Sequence, residues 1–302
     1  MPDSALLDLP VPVAVVCHDA GAANIILAWM RAHAVTYPPA ARDWRLLAQG
    51  PAAKLWAERS VPLVHPCQNV DEALEGAAVL LSGTGWASDL EHEARRQARV
   101  RGIKTIAVID HWANYKERFI RQREIVLPDE IYVTDDYAFR EAERCFPNLP
   151  IHIKPNRYLD ESVSQISPLP CSEGEVLYVL EPIRADWCKQ PAGEFQALDY
   201  FVANIDKLGI KQDATIRLRP HPSDAAGKYD EWLASHHELN VVLDDSPSLA
   251  SAIGKAEWVA GCETYAMVVA LLAGRKVVST LPPWAHRCRL PHSAITSLKD
   301  LK

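Results

Sequence analysis

The chain has 302 residues, a net charge of -7, 48% hydrophobic and 24% charged residues. At about 150 residues per domain, this length predicts two domains with separate cores, and the composition excludes disordered, collagen-like and coiled-coil chains. The acidic balance argues against a sequence-independent nucleic-acid binder, which needs surplus Lys and Arg to displace phosphate counterions.

At the start, Asp3 and Asp8 stand where a secretory leader would be basic, and Pro2, Pro10 and Pro12 interrupt a helix, so no leader is expected. The longest strongly apolar helical stretch, 266–273, falls far short of the roughly 20 residues that cross a bilayer. Seven cysteines (17, 67, 145, 171, 188, 262 and 288) are scattered and odd in number, unlike a zinc site or a disulfide scaffold. The expected location is the cytoplasm, in solution or against the inner membrane.

Short β-rich runs alternate with helical patterns, which predicts an α/β fold with parallel strands covered on both faces. In the first half, strands are expected at 13–17, 45–48, 79–82, 105–110 and 131–134, with further ones near Leu63 and Ile151. Helices are expected at 23–34, 52–60, 87–101 and 137–145, the third stopped by Gly102. From 154 to 175 the periodicity fades among Pro155, Pro168, Pro170 and Gly174, which reads as a linker. The pattern then restarts with strands at 176–181, 215–219, 241–243, 258–260 and 276–280. Helices at 194–208, 228–236, 248–253 and 264–273 alternate with them. The expectation is two doubly wound, Rossmann-like domains facing across a cleft: 1–157 for an acceptor and 173–302 for a nucleotide sugar. No repeat or low-complexity tract interrupts them.

In open α/β sheets ligands bind beyond the carboxyl ends of the strands, so residues just after each strand carry the information. After the first strand comes Cys17-His18-Asp19-Ala20-Gly21-Ala22-Ala23-Asn24. Gly21 allows backbone N–H groups to approach a ligand, and Asp19 reads either as a general base or as the cap of the next helix. His18 and Asn24 join it as acceptor-binding candidates. Ser82-Gly83-Thr84-Gly85-Trp86 follows the strand at 79–82; it lacks the Gly-Lys-Ser/Thr of a P-loop, and Thr84 and Trp86 are read as acceptor contacts. Ser88 and Glu91 have the spacing of a capping box. Asp110-His111-Trp112, with Tyr115 and Arg118, offers acid–base groups beside aromatic walls for a sugar ring, or alternatively aromatic packing with Asp110 paired to Arg118.

In the second half, Arg217-Leu218-Arg219-Pro220-His221-Pro222 ends a strand. Arg217 and Arg219 share a face by the period of two, and the prolines hold the His221 imidazole forward to meet a phosphate oxygen. Gly261-Cys262-Glu263-Thr264 opens a helix whose free N–H groups suit a phosphate, with Glu263 able to grip a ribose; the alternative is that Glu263 and Thr264 serve only the helix end. Arg184 is a further phosphate candidate. Asp244-Asp245-Ser246 reads as a helix cap rather than a metal site. No Asp-x-Asp triplet, Gly-x-Ser-x-Gly or His-Glu-x-x-His occurs, so neither a metal, a serine hydrolase nor a zincin is expected, and no cofactor is implied.

The Arg-x-Arg-Pro-His-Pro strand end and the Gly-Cys-Glu-Thr helix start resemble two-domain GT-B glycosyltransferases, above all the sialyltransferase-like branch and related polysaccharide transferases. In that branch a His-Pro motif supports the nucleotide phosphate and a Ser/Thr-rich turn holds the rest, roles that the resemblance assigns to His221, Pro222 and Thr264. The chain departs from the branch where His18-Asp19-Ala20-Gly21 replaces an acidic pair followed by Gly, and where Cys262-Glu263 replaces a Ser pair. The resemblance implies a metal-independent transferase of bacterial surface polysaccharide synthesis, with a nucleotide-sugar donor, such as a CMP-linked acidic sugar, and a glycan or lipid-linked acceptor. Asp19 and His221 would be its catalytic pair. An epimerase or hydrolase acting on the donor, and a non-catalytic glycan or nucleotide binder, are the alternatives.

Overall fold

The computed structural model describes residues 7–36, 44–59, 64–85, 87–168, 175–181, 187, 192–211, 214–222 and 224–302. Two compact units form, Met1–Tyr158 and Leu159–Lys302. Both are α/β with parallel main sheets in Rossmann-like winding.

The first unit contains β1 (Val13–Cys17), α1 (Ala20–Thr36), β2 (Trp44–Ala48), α2 (Gly50–Glu58), β3 (Val64–Pro66), α3 (Val70–Leu74) and β4 (Val79–Ser82). It continues with α4 (Leu90–Val100), β5 (Lys104–Val108), a hairpin of β6 (Ile120–Arg121) and β7 (Glu124–Ile125), β8 (Glu130–Val133), α5 (Asp136–Cys145) and β9 (Ile151–Ile153). Seven parallel strands run in the order β3-β2-β1-β4-β5-β8-β9. The central strand β1 shows why the sheet is covered on both sides. Val13, Val15 and Cys17 pack with Ile25, Ile26 and Trp29 of α1, whereas Ala14 and Val16 pack with α3 and α4 through Val70, Leu74, Ala94 and Ala98. All five strand residues are buried, so the strand is written as a continuous apolar run rather than an alternating one.

After α6 (Arg157–Ser164), the second unit contains β10 (Val176–Val179), α7 (Gly193–Val202), β11 (Ile216–Arg219), α8 (Asp230–Ser235) and β12 (Val241–Leu243). It ends with α9 (Leu249–Lys255), β13 (Trp258–Gly261), α10 (Tyr265–Leu272), β14 (Lys276–Ser279) and β15 (Thr296–Ser297). Its six strands are parallel in the order β12-β11-β10-β13-β14-β15. Val176, Tyr178 and Leu180 bury against Leu198 and Phe201 of α7, together with Ile216, Leu218 and Trp232.

Each sheet reverses its winding once, between β1 and β4 and between β10 and β13. At such a reversal the connections leave in opposite directions and open a crevice at the strand ends.

The expected strands recur within a few residues. The helix expected at 87–101 begins at Leu90 and closes as foreseen, with Gly102 at φ +69. That expected at 194–208 ends at Val202; a separate 3₁₀ turn, Ile205–Leu208, follows and stops at Gly209 with φ +68. Short α3, the β6–β7 hairpin and β15 carry too few residues to show a period. The stretch 154–175, expected as a linker, contains α6, while 169–174 lie outside the described residues.

Candidate functional site

In the first unit, three glycines bring polar side chains together around the β1/β4 reversal. His18 leaves the end of β1, and its Nδ1 and Asp19 Oδ1 are 2.7 Å apart, a hydrogen-bonded pair. The imidazole lies against Gly50, where a Cβ would come within 2.5 Å of Nε2 and where φ is +54. Asp19 packs on Gly85, where a Cβ would sit 2.0 Å from Oδ2. Asp110 packs on Gly21 still more tightly, with Oδ2 only 1.6 Å from a Cβ built there. Glycine suits these positions because a carboxylate at Gly21 and Gly85, and the imidazole at Gly50, come closer to the backbone than a Cβ permits.

Arg118 ties the third strand end in. Its Nη1 donates to Asp110 Oδ1 at 2.7 Å and to Thr84 Oγ1 at 3.1 Å, and its Nε to the Ala113 carbonyl at 3.2 Å. Thr84 in turn donates to the Val108 carbonyl. Arg121 of the hairpin donates to the Gly85 carbonyl at 2.5 Å and pairs with Asp89 at 3.2 Å, so the loop after β4 is held on both sides. On the far side, the His18 N–H donates to Glu91 Oε1 at 3.0 Å. Burial pushes the Glu91 carboxyl above its usual range, and it does the same to the Cys17 thiol beneath it.

The structure thus gathers His18, Asp19, Thr84, Asp110 and Arg118. His111 is half-buried, its ring 5.4 Å from that of Trp112. Trp112 and Tyr115 are corrected as acceptor walls: they are 9% and 2% exposed, with the indole N–H donating to Asp135 and the phenol to the Ala138 carbonyl. Asn24 is buried and accepts from Arg59. Ser88 and Glu91 do not form a capping box; Ser88 accepts from Leu90 N–H while Glu91 is drawn inward to His18. Trp86 lies outside the described residues.

In the second unit the β10/β13 reversal is lined by acids. Glu181, just beyond β10, accepts the Glu263 N–H at 2.6 Å. Burial, reinforced by the Glu263 charge, pushes its carboxyl up to about 7. Glu263 goes the other way. Burial works against its charge, but hydrogen bonds from the Arg289 backbone at 3.0 Å, the Arg289 guanidinium and His286 at 2.9 Å outweigh it and hold its carboxyl below the usual range. The oxygens expected to grip a ribose are therefore already engaged within the unit. Gly261 admits the Val179 carbonyl at 2.9 Å from a built Cβ, and Thr264 occupies the N-cap position of α10 without a side-chain cap bond.

Arg217 and Arg219 do share a face, but they turn it toward Asp244. Each Nη1 reaches one of its oxygens at 2.5 Å, and Arg217 also pairs with Glu175. This corrects the reading of Asp244-Asp245-Ser246 as a cap: Asp244 is the buried counter-ion, and Ser248 caps α9 by accepting from Ser251 N–H. His221 is half-buried in a loop organised by Asp224, which accepts from the His221 N–H, Lys228 and the Tyr229 hydroxyl. Burial lowers the His221 pKa, with Asp224 opposing the effect and Lys228 adding to it. Arg184 lies outside the described residues.

Sequence reasoning missed Glu181, Gly50 and the inward role of Glu91. Glu181 ends the strand expected at 176–181, the one signal that could have flagged it. The other two depend on contacts between segments far apart in the chain. Among the described residues no group of three or more His, Cys, Asp or Glu is placed to hold a metal ion. Also among them, no helix is long and apolar enough to cross a membrane, and Cys17, Cys145, Cys262 and Cys288 are free thiols.

No family model matches the chain, and no curated protein matches it in sequence. Solved structures do match in fold. A Listeria monocytogenes protein assigned as a UDP-N-acetylglucosamine 2-epimerase aligns over 88% of this chain and 78% of its own, at a TM-score of 0.58 and 10% identity. The Neisseria meningitidis UDP-GlcNAc 2-epimerase bound to UDP-GlcNAc aligns over 85% and 78%, at 0.54 and 10%. The kitacinnamycin glycotransferase aligns over 89% and 80%, at 0.52 and 13%. These are proteins of the GT-B fold, and the two Rossmann-like units of this chain have the same architecture.

Proposed function

We propose that the chain is a glycosyltransferase that uses a nucleotide-activated sugar, in the synthesis of a bacterial surface polysaccharide or glycoconjugate. The observation that carries this reading is the His18–Asp19 hydrogen bond at the β1/β4 reversal of a GT-B-fold chain, walled by Gly85 and flanked by Asp110. A carboxylate on Nδ1 fixes the imidazole tautomer and leaves the pair able to accept the proton of an acceptor hydroxyl. As that proton leaves, the hydroxyl oxygen attacks the anomeric carbon of the donor, and the bond from that carbon to the phosphate oxygen breaks with inversion. In the second unit, His221 donates an N–H to the departing phosphate. The N-terminal end of α10, which follows Thr264, adds positive potential. Arg184 is assigned to the same phosphate, with Arg217 and Arg219 supporting it. No divalent cation enters the step, so transfer should survive a chelator.

Isothermal titration of the full chain with CMP, CDP, UDP and GDP, with and without His221→Ala, tests the donor half. Binding of one nucleotide, weakened at least tenfold by the substitution, is expected. Absence of binding to all four removes the reading. CMP against the diphosphates decides whether the donor is a CMP-linked sugar.

One observation favours a second reading, a nucleotide-sugar epimerase or hydrolase. Trp112 and Tyr115 are built into the first unit, so they offer no open aromatic face to an acceptor, while His18, Asp19 and Asp110 crowd one place. Incubating nucleotide sugars without acceptor separates the two: an epimer or free sugar supports the second reading. Binding without turnover under any acceptor would leave a nucleotide-binding protein.

A further inference from the structure

Beneath the β1/β4 reversal, helix α4 sends two ionisable side chains into the interior, one turn apart. Glu91 is 0% and Arg95 1% exposed. The same face carries Ala94 and Ala98, which pack into the apolar layer below β1 and β4. Glu91 Oε1 accepts the His18 N–H at the end of β1 and lies so close to Gly83 that a Cβ there would stand 2.3 Å away. Arg95 Nη1 donates to Ser82 Oγ at 3.0 Å and to the Gly83 carbonyl at 2.8 Å, at the end of β4. One helical turn therefore grips both strand ends at the point where the sheet reverses.

A stability argument does not account for the two charges. Taking a carboxylate and a guanidinium out of water costs more than their attraction returns unless every polar atom is satisfied, and apolar side chains of similar volume are usually at least as stable. Here Glu91 Oε2 and Arg95 Nε and Nη2 are buried without a hydrogen-bond partner among the described residues, and the guanidinium lies over the Phe119 ring, 5.2 Å from its centroid. What an apolar pair could not do is accept the N–H of His18 or hold the Gly83 carbonyl.

We infer that Glu91 is a positioning residue for the His18–Asp19 pair and that Arg95 holds the facing strand end in register with it. Glu91 fixes the His18 backbone, and the ring then lies on Gly50 with Nδ1 on Asp19. Arg95 fixes Gly83, two residues before the Gly85 on which Asp19 rests. The inference rests on the reading of His18 and Asp19 as the proton-accepting pair, but its test needs no substrate.

The test is imidazole ¹⁵N–¹H NMR of the full chain, with His18→Gln used to assign the His18 ring. In the wild-type protein, His18 should show one tautomer, protonated on Nδ1, with a downfield Nδ1–H proton. Glu91→Leu combined with Arg95→Met removes both charges together. In this variant, still melting cooperatively, the downfield proton should disappear and the ring nitrogens should shift to the averaged values of a free imidazole. Glu91→Gln retains an oxygen acceptor and should restore the wild-type spectrum. Glu91→Asp keeps the charge but withdraws it by one methylene, and should lose the signal as the double variant does; it serves if the double variant does not fold. A wild-type His18 spectrum in either folded variant overturns the inference. Failure of every nucleotide to bind would instead remove the transferase reading and leave this result standing.

Discussion

The two units repeat one architecture, yet their reversal points are lined in opposite ways. At β1/β4, polar side chains lie on glycines: His18 on Gly50, Asp19 on Gly85, Asp110 on Gly21 and Glu91 on Gly83. At β10/β13, two acids face each other, with Glu263 hydrogen-bonded to Arg289 and His286 and Glu181 pushed up to about 7. The first arrangement excludes bulk so that side chains meet backbone; the second balances charge so that acids can be buried. A shared fold thus sets where ligand-facing groups stand and leaves their chemistry to a few residues after each strand.

The comparison breaks hardest at a buried charge. In the second unit, Arg217→Ala should leave Asp244, whose side chain is fully buried, with Arg219 alone, a loss of about 3 kcal/mol in urea unfolding. In the first unit the sensitive feature is space. Gly21→Ala forces Asp110 away from Arg118, at about 1–3 kcal/mol, and Asp110→Ala in the same chain should recover part of that loss. If Gly21→Ala is neutral, the close approach is not a constraint.

The acids sharpen the contrast through pH. Glu181 holds its proton to about 7 when folded, against 4.5 ordinarily. Between those values the folded chain binds the extra proton, so its contribution is fully present below the lower value and is lost as pH rises through the upper one. Unfolding at pH 5 and pH 8 should show this as a decline of about 2 kcal/mol with rising pH that Glu181→Gln removes. The smallest effect concerns the cap of α9. Ser248→Ala should cost about 1 kcal/mol, whereas Asp245→Ala, at an exposed position, should stay within about 0.5 kcal/mol.

Much of the fold was legible because buried parallel strands are written as short apolar runs with helices between them. Val13–Cys17 and Val79–Ser82 fall where the pattern predicts. The five-residue helix α3 and the two-residue strands β6, β7 and β15 are too short for their type to show a period. The site was legible in its parts. His18, Asp19, Asp110, Arg118 and Glu263 are marked by their place after strands, and Arg217 and Arg219 by their shared face at the end of one. Their partners were not, because a side chain's partner is set by segments remote in sequence. Glu91 looked like a cap from its spacing to Ser88, yet it serves His18, 73 positions away. Asp244 looked like a cap and is the counter-ion of two arginines.

By itself the sequence determined the α/β class, the order of most strands and helices, and which residues stand at strand ends, because burial periodicity and turn chemistry are local properties of the chain. Only the tertiary structure decided which of those residues are engaged. It placed Asp19 on His18, committed Glu263 to Arg289 and enclosed Trp112 and Tyr115. The physical reason is that burial and pairing depend on what folds against a side chain, and neither is carried by the residues beside it.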